Sequence, residues 1–254
     1  MRRLTFGESA GSPIWAPDST RILFRTTKDG KSGVFIQAAD GSTAQERLTI
    51  GDELPDCLSP DGKILVVDAA SPGTLSMKTL ALDNPAKLEI FAADPKFRQG
   101  HCSFSPDGHW IAYGSTESGQ SRIYVQPFPK TGAKYQVSRH YSDNPVWSRD
   151  GKELFYNEFD ESTTYTDPKL LAVPVQTQPS FSSGNPVTIP IDGLAETGRA
   201  FQRAQFDVTP DGKFVVLINS KAGSRPKDTP NGHRTYPQEI HIVLNWFSEL
   251  KAKR

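Results

Sequence analysis

The chain has 254 residues, 36% of them hydrophobic and 23% charged, and its 29 Lys and Arg balance 29 Asp and Glu to a formal charge of zero. That balance removes the long-range attraction to phosphate backbones and anionic lipid, so no nucleic-acid partner is expected. The longest apolar run, Phe214 to Ile218, is five residues, far short of the ~20 that span a bilayer. No apolar leader stretch follows Met1, and direct membrane insertion is not expected.

Read from the start, the chain repeats itself. Five segments align on an aspartate: WAPDSTRILF from Trp15, LSPDGKILVV from Leu58, FSPDGHWIAY from Phe104, WSRDGKELFY from Trp147 and VTPDGKFVVL from Val208. The aspartates Asp18, Asp61, Asp107, Asp150 and Asp211 are spaced 43, 46, 43 and 61 residues apart. Pro precedes the Asp in four copies and Gly follows it in four. Pro fixes φ near −65° and Gly permits positive φ, so the triplet is a turn.

Three residues before each Asp stands an apolar side chain (Trp15, Leu58, Phe104, Trp147, Val208), expected to form a repeated layer between neighbouring sheets. Two before it stands a small one (Ala16, Ser59, Ser105, Ser148, Thr209). Positions four and six after the Asp are apolar in every copy, the alternation of a strand with one buried face. Further strands are expected at residues 34–38, 47–50, 122–126, 135–138, 170–175 and 187–189. Each unit is then a four-stranded meander, and such sheets repeated radially predict an all-β β-propeller.

The string of an apolar residue, Ser-Pro-Asp-Gly-Lys and two alternating apolar positions resembles the WD40-like repeat of TolB-type β-propellers. It covers all five units, with blades at about 12–50, 54–92, 101–139, 144–190 and 204–245. The later units also resemble propellers found behind bacterial Ser/Thr kinase domains, but no Gly-rich loop, HRD or DFG motif is present, so kinase activity is not implied. Relatives of this kind are often extracytoplasmic. Residues 3–8 mimic residues 47–52, which end the first blade, so residues 2–6 read as an outer strand without a blade of its own. They are expected to pair with residues 239–244 and complete the fifth blade of a single domain, 1–254. The alternative is part of a six-bladed ring.

Gly7-Glu8-Ser9-Ala10-Gly11 matches the G-x-S-x-G nucleophile elbow. That motif needs a following helix, whereas this segment runs into a strand. The turn aspartates are expected to accept backbone N–H groups two residues on rather than to ligate metal. Cys57 and Cys102 lie four and five residues before their aspartates, so alternation sets them on opposite faces and predicts two buried, unbridged thiols. His109 takes the slot of Lys63, Lys152 and Lys213 and is expected at an exposed turn.

His101 and His140 fall in connections from an outer strand into the next inner strand, with Asp52, Glu53, Arg98, Tyr141, Asp143, Arg199 and Arg203 around them. A polar rim with an aromatic group at that end is the default recognition surface of the fold. The expected function is a non-catalytic binding or scaffold module for a protein or peptide, with a small ligand possible and no cofactor or metal. The alternative is a propeller hydrolase, a glycosidase or lactonase, with acids or a metal at the axial channel.

Overall fold

A computed structural model describes residues 5, 10–71, 73–85, 87–160, 168–191, 193–195, 204–209, 211–219, 227–228, 234–235 and 238–243. The regular elements among the described residues are all strands. They fall into two compact units, Met1–Gln136 and Val137–Arg254.

The first unit holds three sheets, each an antiparallel meander in chain order. β1 (Ala10–Trp15), β2 (Arg21–Lys28), β3 (Lys31–Ala38) and β4 (Glu46–Arg47) make the first. The second is β5 (Leu54–Leu58), β6 (Ile64–Ser71), β7 (Thr74–Ala81) and β8 (Leu88–Ala92), and the third is β9 (Gln99–Phe104), β10 (Trp110–Ser115), β11 (Arg122–Pro127) and β12 (Tyr135–Gln136). The second unit opens with β13 (Ser142–Trp147), β14 (Glu153–Glu158) and β15 (Lys169–Gln176), with β16 (Ser182–Ser183) and β17 (Val187–Ile189) both paired to β15. β18 (Phe206–Val208) and β19 (Phe214–Asn219) follow. A two-stranded ribbon of β20 (Lys227–Asp228) and β21 (Arg234–Thr235) precedes β22 (Gln238–Val243), which pairs with β19. Repeated four-stranded antiparallel meanders are the blades of a β-propeller. The segment 2–6, apart from Thr5, lies outside the described residues, as does its expected pairing with residues 239–244.

The turn that joins the two inner strands is built alike in the second, third and fourth repeats. Ser59, Ser105 and Ser148 donate their hydroxyls to Asp61, Asp107 and Asp150, and those carboxylates also accept the N–H of Lys63, His109 and Lys152 at 3.0 to 3.1 Å. The same hydroxyls accept the N–H of Ile64, Trp110 and Glu153 at 2.9 to 3.0 Å. The small residue two before the Asp is therefore required for its hydroxyl as much as for its size. Ala16 lacks one, and Asp18 takes the Thr20 N–H and the Arg21 guanidinium instead. The turns also stack: the Pro17 ring lies against Gly62 and the Pro60 ring against Gly108. Arg149, which replaces Pro in the fourth repeat, reaches the Val208 carbonyl of the fifth at 3.1 and 3.2 Å.

Sheets meet face to face: the expected fourth and sixth positions of one sheet pack on the fifth position of the sheet before it, so the inner strand after the turn is buried on both faces and not on one. Leu23 of the first sheet packs with Leu65 and Val67 of the second, and Val66 and Met77 of the second pack with Ile111 and Tyr113 of the third. Phe155 of the fourth meets Phe206, Val208 and Phe214, its ring 4.9 Å from that of Phe214. Two further expectations are corrected here. In the fifth repeat Val208 pairs with Phe214, six residues on, whereas Leu58 pairs with Leu65, seven on. That hairpin is one residue shorter, so Phe214 and Val216 take the buried places rather than Val215 and Leu217. Phe104 and Trp147 are 8% and 4% exposed, as the apolar layer requires, but Trp15 is 60% exposed. Trp15 pairs with Ile22, on the face that in the second and third sheets is covered by the preceding sheet, and within its unit the first sheet has none before it.

Trp147, edge-on to Phe181 with centroids 6.5 Å apart, should cost roughly 3 to 5 kcal/mol when cut to Ala, measured by urea unfolding. Ser19 holds φ at +57°, where Gly62, Gly108, Gly151 and Gly212 stand at +70° to +78°. Ser19→Gly should therefore raise stability by roughly 0.5 to 1 kcal/mol in the same assay, and a loss would show that the Ser19 side chain supports the turn.

Candidate functional site

In the first four repeats the inner strand before the turn carries one extra residue where it approaches its rim. Ser12 and Pro13 together oppose Phe24, Asp56 is inserted between the Pro55 and Cys57 pairs, His101 and Cys102 oppose Tyr113, and Asn144 and Pro145 oppose Tyr156. Ser12, His101 and Asn144 adopt φ of +51°, +56° and +58°. Pro55 fills the same slot in the second repeat, where its ring forbids such a value. The bulge settles the place of His101: it lies within β9 and is 8% exposed, not in the connection the sequence suggests.

In the first unit the rim residues are held from below. Gly51 sits at φ +150°, and a Cβ there would run into the Glu53 carboxylate, which folds back over it. Glu53 is buried, 3.6 Å from Lys78 Nζ. Asp52 points outward, its side chain 78% exposed, and accepts from Arg25 Nη2 at 2.7 Å. The half-buried Arg98 is fixed through its backbone: its N–H donates to Thr116 Oγ1 at 2.9 Å and its carbonyl accepts the Thr116 N–H at 3.0 Å.

In the second unit His140 is exposed, and its carbonyl accepts from Ser142 Oγ at 2.9 Å. Tyr141 is buried against Phe159, rings 5.3 Å apart, so it is a packing residue. Asp143 is buried inside β13, paired with Asn157. Arg199 and Arg203 lie outside the described residues, as do residues 161–167 and most of 220–237 in the two long insertions.

Several buried polar groups escaped the sequence reading. Asp56 accepts the Cys102 N–H at 2.7 Å, and Asp68 is buried with its carboxylate filling the room that Gly100 leaves. Asn157 is 0% exposed, and neither atom of its amide has a hydrogen-bond partner. Asp68 and Asn157 share a place, seven after the turn Asp, which an alternation with its buried residues at four and six assigns to the outward face, so the pattern carried no signal for them.

The unbridged state expected for the cysteines is overturned: Cys57 and Cys102 form a disulfide, Cα atoms 5.7 Å apart. The parity argument held, but neighbouring sheets pack face to face. Cys57 faces forward from the second sheet and Cys102 backward from the third, so opposite faces are the ones that meet.

The other weighed motifs resolve locally. Gly11 of the elbow-like string lies in β1, a strand, and Gly7, Glu8 and Ser9 lie outside the described residues. Asp18, Asp61, Asp107 and Asp150 accept the N–H two residues on, as expected, whereas in the fifth repeat the Lys213 N–H goes to the Thr209 hydroxyl instead of Asp211; His109 is exposed at its turn. The Ser59 hydroxyl, and then the Lys63 N–H, hold Asp61 below the ordinary 3.8. Burial opposes ionisation at Asp107 and Asp150, yet the bonds from Ser105 and Ser148 and from the N–H groups outweigh it, and both are also lowered. Among the described residues no three of His, Cys, Asp and Glu converge to hold a metal, and no helix is long and apolar enough to cross a membrane.

No family model matches the chain. Its fold is that of TolB-type β-propellers. TolB from Acinetobacter baumannii superposes with a TM-score of 0.64 at 18% identity over 85% of this chain and 49% of that one. A structure described as TolB from Agrobacterium tumefaciens gives 0.65 at 18% over 92% and 76%. A prolyl endopeptidase structure gives 0.55 at 12% over 92% of this chain and 33% of its own. The chain thus spans about half the length of the Acinetobacter protein.

Carboxylates with lowered pKa favour the folded state above the ordinary carboxylate value, and that contribution is lost as pH falls through the folded values. The urea midpoint should therefore drop from about pH 4 downward, and Asp107→Asn should shrink that drop. An acid response identical in the variant would remove the turn from the account.

Proposed function

We propose that the chain is a non-catalytic propeller module that recognises a protein or peptide through the rim where outer strands lead into inner ones, and that residues 1–254 act as one propeller domain. The observation that carries this reading is the arrangement at residues 51–53. Asp52 is presented to solvent on a guanidinium support while Glu53 is turned inward over a glycine that no other residue could replace. A charged group held in one place before binding loses little entropy on contact. Arg98 adds a cation on the same unit.

The fold supports the reading only as a scaffold, and so the rim itself must be tested. Peptides from a displayed 12-residue random library, selected on the whole chain, should bind in solution. Asp52→Ala with Arg98→Ala should weaken the selected peptides about tenfold or more while the melting temperature stays within about 2 °C, as truncation of positioned surface charges predicts. Equal binding by wild type and variant, or turnover of an aryl glycoside or a lactone by the chain, would refute it.

A further inference from the structure

We propose that the Cys57–Cys102 disulfide is a redox-sensitive clamp between the second and third sheets, that it holds the β9 bulge and so His101 in place, and that the chain works in an oxidising compartment. The inference is independent of whether the rim binds a partner.

Three observations converge on residue 102. Its sulfur is bonded to Cys57 of β5, across the interface formed by Val66, Met77, Ile111 and Tyr113. Its backbone N–H is bonded to the Asp56 carboxylate of the same neighbouring strand at 2.7 Å. It is also one of the two residues, with His101, that oppose Tyr113 in the bulge, where His101 is kept at φ +56°. Ser12 and Asn144 hold the same φ in the same slot without such a bond, so the local bulge geometry comes from the ladder around it. What residue 102 adds is two ties, one covalent and one hydrogen-bonded, that fix this bulge to β5.

The bond closes a loop with a sequence separation of 45, which contains the rest of the second sheet. Cross-linking a loop of that size removes much of the freedom of the unfolded chain. Cys57 is buried and Cys102 half-buried, so the Cys102 end of the bond is the less covered one. Attack there by the thiolate of a dithiol gives a mixed disulfide and frees the Cys57 thiolate. The second thiol of the reagent then displaces Cys102, leaving two protein thiols and a cyclic disulfide. Two electrons and two protons pass from dithiol to protein, and nothing else is consumed. In a reducing cytosol the balance would favour the thiols, and a bond of this kind persists where the surroundings oxidise.

The test uses the whole chain purified in air, with dithiothreitol as the dithiol. Unfolded in urea without reductant, it should take up no iodoacetamide and be two hydrogens lighter than after reduction. Dithiothreitol should lower the melting temperature by about 5 to 15 °C and speed amide exchange in residues 99–104 more than in β14 and β15, which belong to the other compact unit. Cys57→Ser with Cys102→Ser should melt at the reduced temperature and respond no further to dithiothreitol. Two alkylatable thiols in the air-purified chain would overturn the clamp. Unchanged exchange at 99–104 on reduction would overturn its hold on His101, and a double variant that still responds to the dithiol would place the sensitivity elsewhere.

Discussion

The hydrogen-bonded ring at each turn aspartate decides which residue of the next strand is first in register, and every later contact follows from that choice. A serine hydroxyl donates to the carboxylate and accepts an N–H five residues on, while the carboxylate takes the N–H two residues beyond itself. The first paired positions then stand seven residues apart, and the first repeat keeps that offset through the Ala16 N–H, which donates to the Arg21 carbonyl five residues on. Because side chains alternate with period two, a change of one moves a whole strand to its other face. The fifth repeat shows this: the Thr209 hydroxyl accepts the Lys213 N–H, four residues on, and Phe214 and Val216 are buried in place of their neighbours.

This explains what could be read from the sequence and what could not. The repeat, the four-stranded meander and the apolar interface positions follow from local chemistry: Pro, Gly and Asp at a turn, and alternation after it. The faces of Cys57 and Cys102 were legible for the same reason. Their bond was not, since it depends on two sheets packing face to face, a relation between repeats that no single repeat encodes. Trp15 failed as a buried residue in the same way, for its burial depends on a sheet before it and not on its own strand.

The candidate rim was legible as a set of positions and less so as a set of roles. Asp52, Arg98 and His140 stand where a connection should present them, and Glu53 turns in because Gly51 leaves it room. His101 and Asp143 are drawn into strands because the inner strand of each gains a residue just below its rim. A bulge leaves a faint mark in sequence: Ser12, Pro55, His101 and Asn144 share a position, six before the turn Asp, without sharing any chemistry.

That lack of shared chemistry has a physical consequence. At the turn, each residue type is demanded by a hydrogen bond or by φ, so repeats two to four are nearly interchangeable there. Below the rim, the backbone is held by the pairs on either side of the bulge, and the side chain in the slot is free of that duty. The second repeat makes the point most sharply, because Pro55 keeps the extra residue while forgoing positive φ. A slot whose geometry is set by its neighbours can carry imidazole, amide, hydroxyl or a pyrrolidine ring without disturbing the sheet. In a propeller, the difference between one repeat and the next is therefore concentrated beside the rim, where recognition can use it, and is suppressed at the turns that keep the blades in register.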